Sequence, residues 1–171
     1  MNPGALSHVK AVEYCQTPAG SYCAKLIADL GAEVVKIEDP CRSYPARRRG
    51  PFPKDVPNSE SSGLFLYLNT NKLGVTLNTA TATGKEIFNK LCTDADILIE
   101  NNPPGEIDNL GLGYNALKAV NPSLIMASVT PFGQTGAASP LRGGANDYIL
   151  RELLGMPEST FEELEAPGVL N

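Results

Sequence analysis

The chain has 171 residues, 42% of them hydrophobic and 19% charged, so it can bury one substantial core but has no room for two full domains. Nineteen acidic against 14 basic side chains leave a net charge of −5, which supplies no global positive field for nucleic acid or anionic lipid. No apolar run approaches the roughly 20 residues that cross a bilayer, and the opening Met-Asn-Pro-Gly lacks a basic-then-apolar leader, so the reading is cytoplasmic.

In chain order, residues 9–14 open with β-favouring side chains, and residues 33–38 (Glu-Val-Val-Lys-Ile-Glu) repeat the pattern after a helical stretch, which is a βαβ signature. In that helix Cys23, Leu26, Ile27 and Leu30 fall at i, i+3, i+4 and i+7, a stripe expected to pack on the sheet, with Gly31 closing the helix. Residues 40–62 turn polar and proline-rich around Arg47-Arg48-Arg49 and read as a long loop, either a solvated charge run or a site for an anion. A second unit runs from Gly74-Val75-Thr76-Leu77 to residues 96–100. Its helix is expected to start on a Thr83/Glu86 capping box and to bury Ile87, Phe88, Leu91 and Cys92. A third unit places a short helix at 115–120 before the apolar run 124–129. This alternation predicts an α/β fold, a Rossmann-like open parallel sheet with helices on both faces and right-handed crossovers. Gly143-Gly144 then precedes a helical tail, with Asn146 as a cap and Ile149, Leu150, Leu153 and Leu154 as its apolar face. The expected organisation is a domain over residues 1–144 with the tail, 145–171, packing on it.

The four cysteines, Cys15, Cys23, Cys41 and Cys92, are irregularly spaced, and His8 is the lone histidine, so neither a metal set nor a histidine-assisted nucleophile is expected. The thiols read as free, buried core residues and His8 as a surface loop residue. In an open parallel sheet, ligands lie outside the carboxyl ends of the strands, which directs attention to the loops after Tyr14, Glu38, Leu77, Glu100 and Val129. The first such turn, Cys15-Gln16-Thr17-Pro18-Ala19-Gly20, lacks G-x-G-x-x-G but has small residues at a helix start, which suits a phosphate. Gly111-Leu112-Gly113 reads as a turn, and 101–105 (Asn-Asn-Pro-Pro-Gly) reads either as a turn with self-bonding asparagines or as a ligand contact.

Several stretches resemble the class III CoA-transferases, the family of formyl-CoA transferase, carnitine CoA-transferase and 2-methylacyl-CoA racemase. They are Ala19-Gly20 leading through residues 26–38, Asn69-Thr70-Asn71-Lys72, Glu100-Asn101 with Pro104-Gly105, Leu110-Gly111 and Asn121-Pro122. The resemblance runs from about residue 9 to 144 and resumes over 146–170, which resembles the extreme C-terminal tail of full-length members. It implies that the middle between them, with the aspartate that attacks the acyl-CoA thioester, is missing. Asp147 lies in the tail motif and is not expected to replace that nucleophile. The resemblance further implies CoA or acyl-CoA as the bound substrate and no metal. Thr17, Pro18, Ala19, Leu77, Asn78, Thr79, Asn101, Asn102 and Arg142 stand at its CoA contacts. Asp39, Ala80 and Asn109 stand where relatives carry cations, with Lys72 or Arg47 to Arg49 as compensating charges. The readings that follow are a CoA-binding domain without its nucleophile, a non-catalytic structural or interaction module forming a simple homodimer, or one subunit of a split transferase.

Overall fold

In the computed structural model, residues 4–42, 44–135, 157 and 160 are described. The chain divides into two compact units, Met1–Thr130 and Pro131–Asn171. The expectations for the tail, including the helix capped by Asn146, Asp147 and the placement of Arg142, lie outside the described residues.

The first unit carries β1 (Lys10–Tyr14), α1 (Pro18–Asp29), β2 (Glu33–Glu38), α2 (Gly63–Leu68), β3 (Leu73–Thr76), α3 (Ala82–Thr93), β4 (Ile97–Glu100), α4 (Glu106–Asn109), α5 (Tyr114–Val120) and β5 (Ile125–Ser128). The five strands form one sheet in the order β3-β2-β1-β4-β5, and every pairing is parallel. The β2-α2-β3 crossover contains the predicted long loop, which holds two one-turn 3-10 helices, Pro45–Arg48 and Pro53–Asp55. Among the described residues no helix is long and apolar enough to cross a membrane.

Both faces of the sheet are covered, because alternate residues of each strand enter different cores. Val12, Tyr14, Ile37 and Leu98 pack with Phe88, Cys92, Leu112 and Leu117 of the α3–α5 side. Ala11, Cys15, Val34 and Ile99 pack with Ala24 and Ala28 of α1. Phe88 meets Tyr14 edge-on, with ring centroids 5.4 Å apart.

The buried face of α1 differs from the predicted stripe. Gly20, Ser21, Ala24 and Ala28 face the sheet, while Cys23, Leu26 and Leu30 point outward and Ile27 is only partly covered. The sheet beneath carries two buried charged residues, Glu13 and Lys36, so the helix needs a hydroxyl and small side chains there rather than bulk. The start of α3 is also corrected: Thr81, not Thr83, is the N-cap, and its Oγ1 accepts from the Gly84 amide at 3.0 Å. A Cβ on Gly84 would fall 1.8 Å from the Asn78 carbonyl oxygen, so this close first turn requires glycine. Glu86 instead pairs with Lys90, and Ile87 is exposed although Phe88 and Cys92 are buried and Leu91 packs against them.

The cysteines divide in the same way. Cys15 and Cys92 are buried free thiols, and burial pushes both up, Cys92 to about 12. Cys23, on the outer face of α1, and Cys41, in the loop after β2, are exposed, contrary to the expectation that all four lie inside. The native chain should therefore release two equivalents of thiol to an aromatic disulfide reagent and four only after unfolding. A native count of four contradicts this packing.

Candidate functional site

The strand order reverses direction between β1 and β4, so the topological switch point lies at their carboxyl ends, Tyr14 and Glu100. The chain leaves β1 through Cys15-Gln16-Thr17 into α1, and leaves β4 through Asn101-Asn102. Asn101 ties these two exits together. Its Oδ1 accepts from the Gln16 amide at 2.6 Å and the Thr17 amide at 3.4 Å, and its Nδ2 donates to the Thr17 carbonyl at 3.1 Å and to the Thr17 hydroxyl. The asparagine thus bonds the neighbouring loop rather than its own. Gly20 permits this approach, since a Cβ there would fall 2.4 Å from Cys15 Sγ and 3.2 Å from Asn101 Nδ2.

Because the Thr17 hydroxyl is engaged by Asn101, it makes no cap to α1. Pro18 occupies the first helical position, where it has no amide hydrogen to satisfy, and Thr17 and Ala19 are exposed. The first turn of a 12-residue helix therefore opens uncapped at the switch point. Amides and helix dipole there favour a negative group.

Asn102 is 1% exposed. Its amide and Nδ2 donate to the Glu100 carboxylate at 2.8 and 3.1 Å, while among the described residues its Oδ1 has no hydrogen-bond partner, nor has Thr130 Oγ1. The β4–β5 register pairs Glu100 with Ser128, which places these two orphaned atoms on adjacent chain exits. Buried polar atoms without partners are rare and costly.

The remaining predicted residues are placed as follows. Leu77 and Thr79 are buried, with Thr79 Oγ1 2.8 Å from the Tyr14 hydroxyl. Asn78 Nδ2 donates to Cys41 Sγ at 3.3 Å and its Oδ1 accepts from the Ala80 amide at 2.9 Å, joining the exits of β2 and β3. Lys72 is drawn away from the crevice: its Nζ lies 2.6 Å from Glu13 Oε2 and 2.8 Å from the Ser21 carbonyl, with the side chain 1% exposed. Of the three consecutive arginines, Arg47 is committed to Glu38 at 2.7 and 3.0 Å and to Glu60 at 2.9 Å, over the Phe65 ring. Arg48 and Arg49 are exposed and form no ion pair among the described residues. Asp39 is buried and accepts from the Cys41 amide, while Ala80 and Asn109 are exposed.

Sequence reasoning missed two features. The first is Arg42, which pairs with Asp39 at 3.8 Å and with Glu106 of α4, so it spans from the β2 exit to the β4 exit. A cleft of about 400 Å³ opens beside it, walled by Glu38, Asp39, Arg42, Tyr44, Arg47 and Arg48. Three carboxylates and three guanidinium groups, counting Glu60, balance in this wall, and among the described residues Arg48 is its cation without a carboxylate. The second is a buried ionic cluster. Glu13 receives Lys36 Nζ and the Ser21 hydroxyl on Oε1 and Lys72 Nζ on Oε2, each at 2.6 Å. Burial works to raise the Glu13 carboxyl, but the two ammonium groups outweigh it and hold it below the ordinary 4.5. Burial also pulls the Lys72 ammonium below its ordinary range, against Glu13. Glu13 and Lys36 are cross-strand neighbours in the β1–β2 register, and they are the charged residues of these two strands that are buried, a pair the sequence did display.

The family model for CoA-transferase family III matches residues 6–169. The chain belongs to this family. It is 41% identical over 124 residues to succinyl-CoA:(R)-benzylsuccinate CoA-transferase subunit BbsE of Thauera aromatica, covering 72% of this chain and 30% of that protein. It is 36% identical over 129 residues to formyl-CoA:oxalate CoA-transferase of Escherichia coli, covering 75% and 30%. The crystal structure of a CAIB/BAIF family protein from Brucella suis superposes with a TM-score of 0.75 at 33% identity, covering 90% of this chain and 40% of that one. This family member thus spans about a third of the length of these curated relatives, and its fold is that of the corresponding part of the solved structure.

Proposed function

We propose that this chain is a CoA-binding domain of CoA-transferase family III that holds CoA or an acyl-CoA thioester at the β1–β4 switch point. The observation that carries the reading is Asn101, which spends its side chain joining the two loops and leaves the first turn of α1 uncapped toward the crevice. In this reading Thr17, Pro18 and Ala19 take the pyrophosphate side, Asn102 Oδ1 accepts from a pantetheine amide, and Leu77, Asn78 and Thr79 border the nucleotide end. Arg142 would stand near the thioester, as the family resemblance implies. Asp39, Ala80 and Asn109 offer no cation, so Arg42 and Arg48, lining the cleft, supply the positive charge on the nucleotide side. Each charge-assisted contact adds about 1.5–3 kcal/mol in favourable geometry, which limits affinity where, among the described residues lining the cleft, Arg48 is the one unpaired cation.

Among the described residues, the carboxylates bordering the crevice are all engaged. Asp39 accepts from an amide, Glu106 pairs with Arg42, and Glu100 accepts from Asn102. The segment in which the family resemblance places the nucleophilic aspartate has no counterpart here, so in this reading the chain binds CoA but does not transfer it alone. Its named relative from Thauera aromatica is a subunit, which supports assembly with a partner chain. Calorimetric titration with CoA and acetyl-CoA tests the reading: one site and no turnover with carboxylic acids are expected. No heat and no competition at millimolar CoA would overturn it. The charge balance of the cleft favours a second reading, an interaction module whose ligand site has decayed, which a ligand-independent homodimer of the 18.2 kDa chain in sedimentation would support.

A further inference from the structure

The segment carrying Arg42, Arg47 and Arg48 is fastened to the rest of the unit by a buried tyrosine. Tyr44 is 3% exposed, and its hydroxyl donates to Ser21 Oγ at 2.6 Å. Ser21 lies in the first turn of α1 and donates in turn to Glu13 Oε1 at 2.6 Å, so the sense of the relay is fixed by the carboxylate at its end. The Lys36 ammonium sits over the Tyr44 ring, 4.1 Å from its centroid. Tyr44 also packs with Ala46, Leu68, Leu64 and Phe65 in a small core of its own, and Phe65 lies under the Arg47 guanidinium. One side chain therefore touches both the arginine-bearing wall of the cleft and the uncapped helix start across the crevice. Burial raises the phenol well above its ordinary 10, which keeps it a donor throughout the working range.

We propose that Tyr44 is a positioning residue: its phenol pins the arginine-bearing segment to the first turn of α1, so that both walls meet a bound CoA thioester at one fixed separation. This rests on the CoA reading above, and it assigns the pin to Tyr44 rather than to the arginines themselves. Without the hydroxyl, Ser21 keeps its bond to Glu13 and the ring keeps its packing, so the fold stands while the latch opens.

Tyr44→Phe in the full chain tests the pin by two independent measurements. Calorimetry with CoA and with 3′-dephospho-CoA should show CoA affinity falling roughly 3–10-fold, the effect of one lost hydrogen bond. The preference for CoA over its dephospho form should collapse toward one. Hydrogen exchange, which needs no ligand, should accelerate both in residues 44–49 and in residues 19–22. The Tyr44→Phe, Ser21→Ala double variant should exchange no faster than Ser21→Ala alone. Exchange confined to 44–49, additive effects in the double variant, or a wild-type affinity and preference in Tyr44→Phe would each overturn the pin. Coupled exchange in a wild-type chain that binds no CoA would uphold the pin and refute the CoA reading.

Discussion

Glu13→Gln is expected to destabilise the chain by about 4 kcal/mol, because it removes the carboxylate bonded to two buried ammonium groups. Glutamine keeps the shape and offers one acceptor, yet leaves Lys36 and Lys72 as uncompensated charge in a site where each side chain is 1% exposed. Urea unfolding followed by circular dichroism reads the loss directly, and a cost below about 1 kcal/mol contradicts the role given to the carboxylate. The cluster also fixes a pH dependence. The folded Glu13 carboxyl resists protonation while the unfolded one titrates near 4.5, so the unfolded state takes up its proton first as pH falls. This contribution is complete above about pH 4.5 and is lost as pH falls through the lower folded value. Subtracting the Glu13→Gln profile from the wild-type profile should isolate it, and parallel profiles across that window would contradict the shift.

Asn101→Ala should have the next largest effect, because four hydrogen bonds between the β1 and β4 exits end on one side chain. The part-buried Gln16 amide loses its acceptor, at a cost of about 2 kcal/mol in stability. The Thr17 hydroxyl, once released, becomes free to cap α1 and close the helix start to an anion. CoA affinity should therefore fall by at least about tenfold, more than the change in stability alone explains, since the protein remains folded during the titration. Wild-type affinity in a folded Asn101→Ala chain would remove the asparagine from the site.

The strands were legible because each is a short β-branched or aliphatic run, as in Val34-Val35 and Ile97-Leu98-Ile99, which covering on both faces demands. Their order was not, since nothing in a single strand's pattern states which neighbour it pairs with. The face of α1 was misread because counting bulky residues selects Leu26 and Leu30, whereas the sheet below presents Glu13 and needs Ser21. The short helices α2 and α4 went unnoticed, being too brief to show a periodicity. At the candidate site, the first turn and the asparagine pair were singled out from their position after strands, and the fold joins them through Asn101. Arg42 was not, because its importance comes from reaching Glu106, 64 residues away, and no local motif records that contact. Lys72 was assigned by type, as a cation near an anion site, and only the fold reveals that Glu13 holds it.

The most direct test of the central claim is amide chemical-shift mapping of the isotopically labelled chain during a CoA titration. The account predicts the largest shifts at Gln16, Thr17, Ala19, Gly20, Asn101, Asn102 and Arg48. It predicts none at Lys10, Glu33 and Asp94, which line a separate cavity of about 190 Å³ toward the amino ends of the strands. Shifts confined to that opposite end, or none at millimolar CoA, would contradict it.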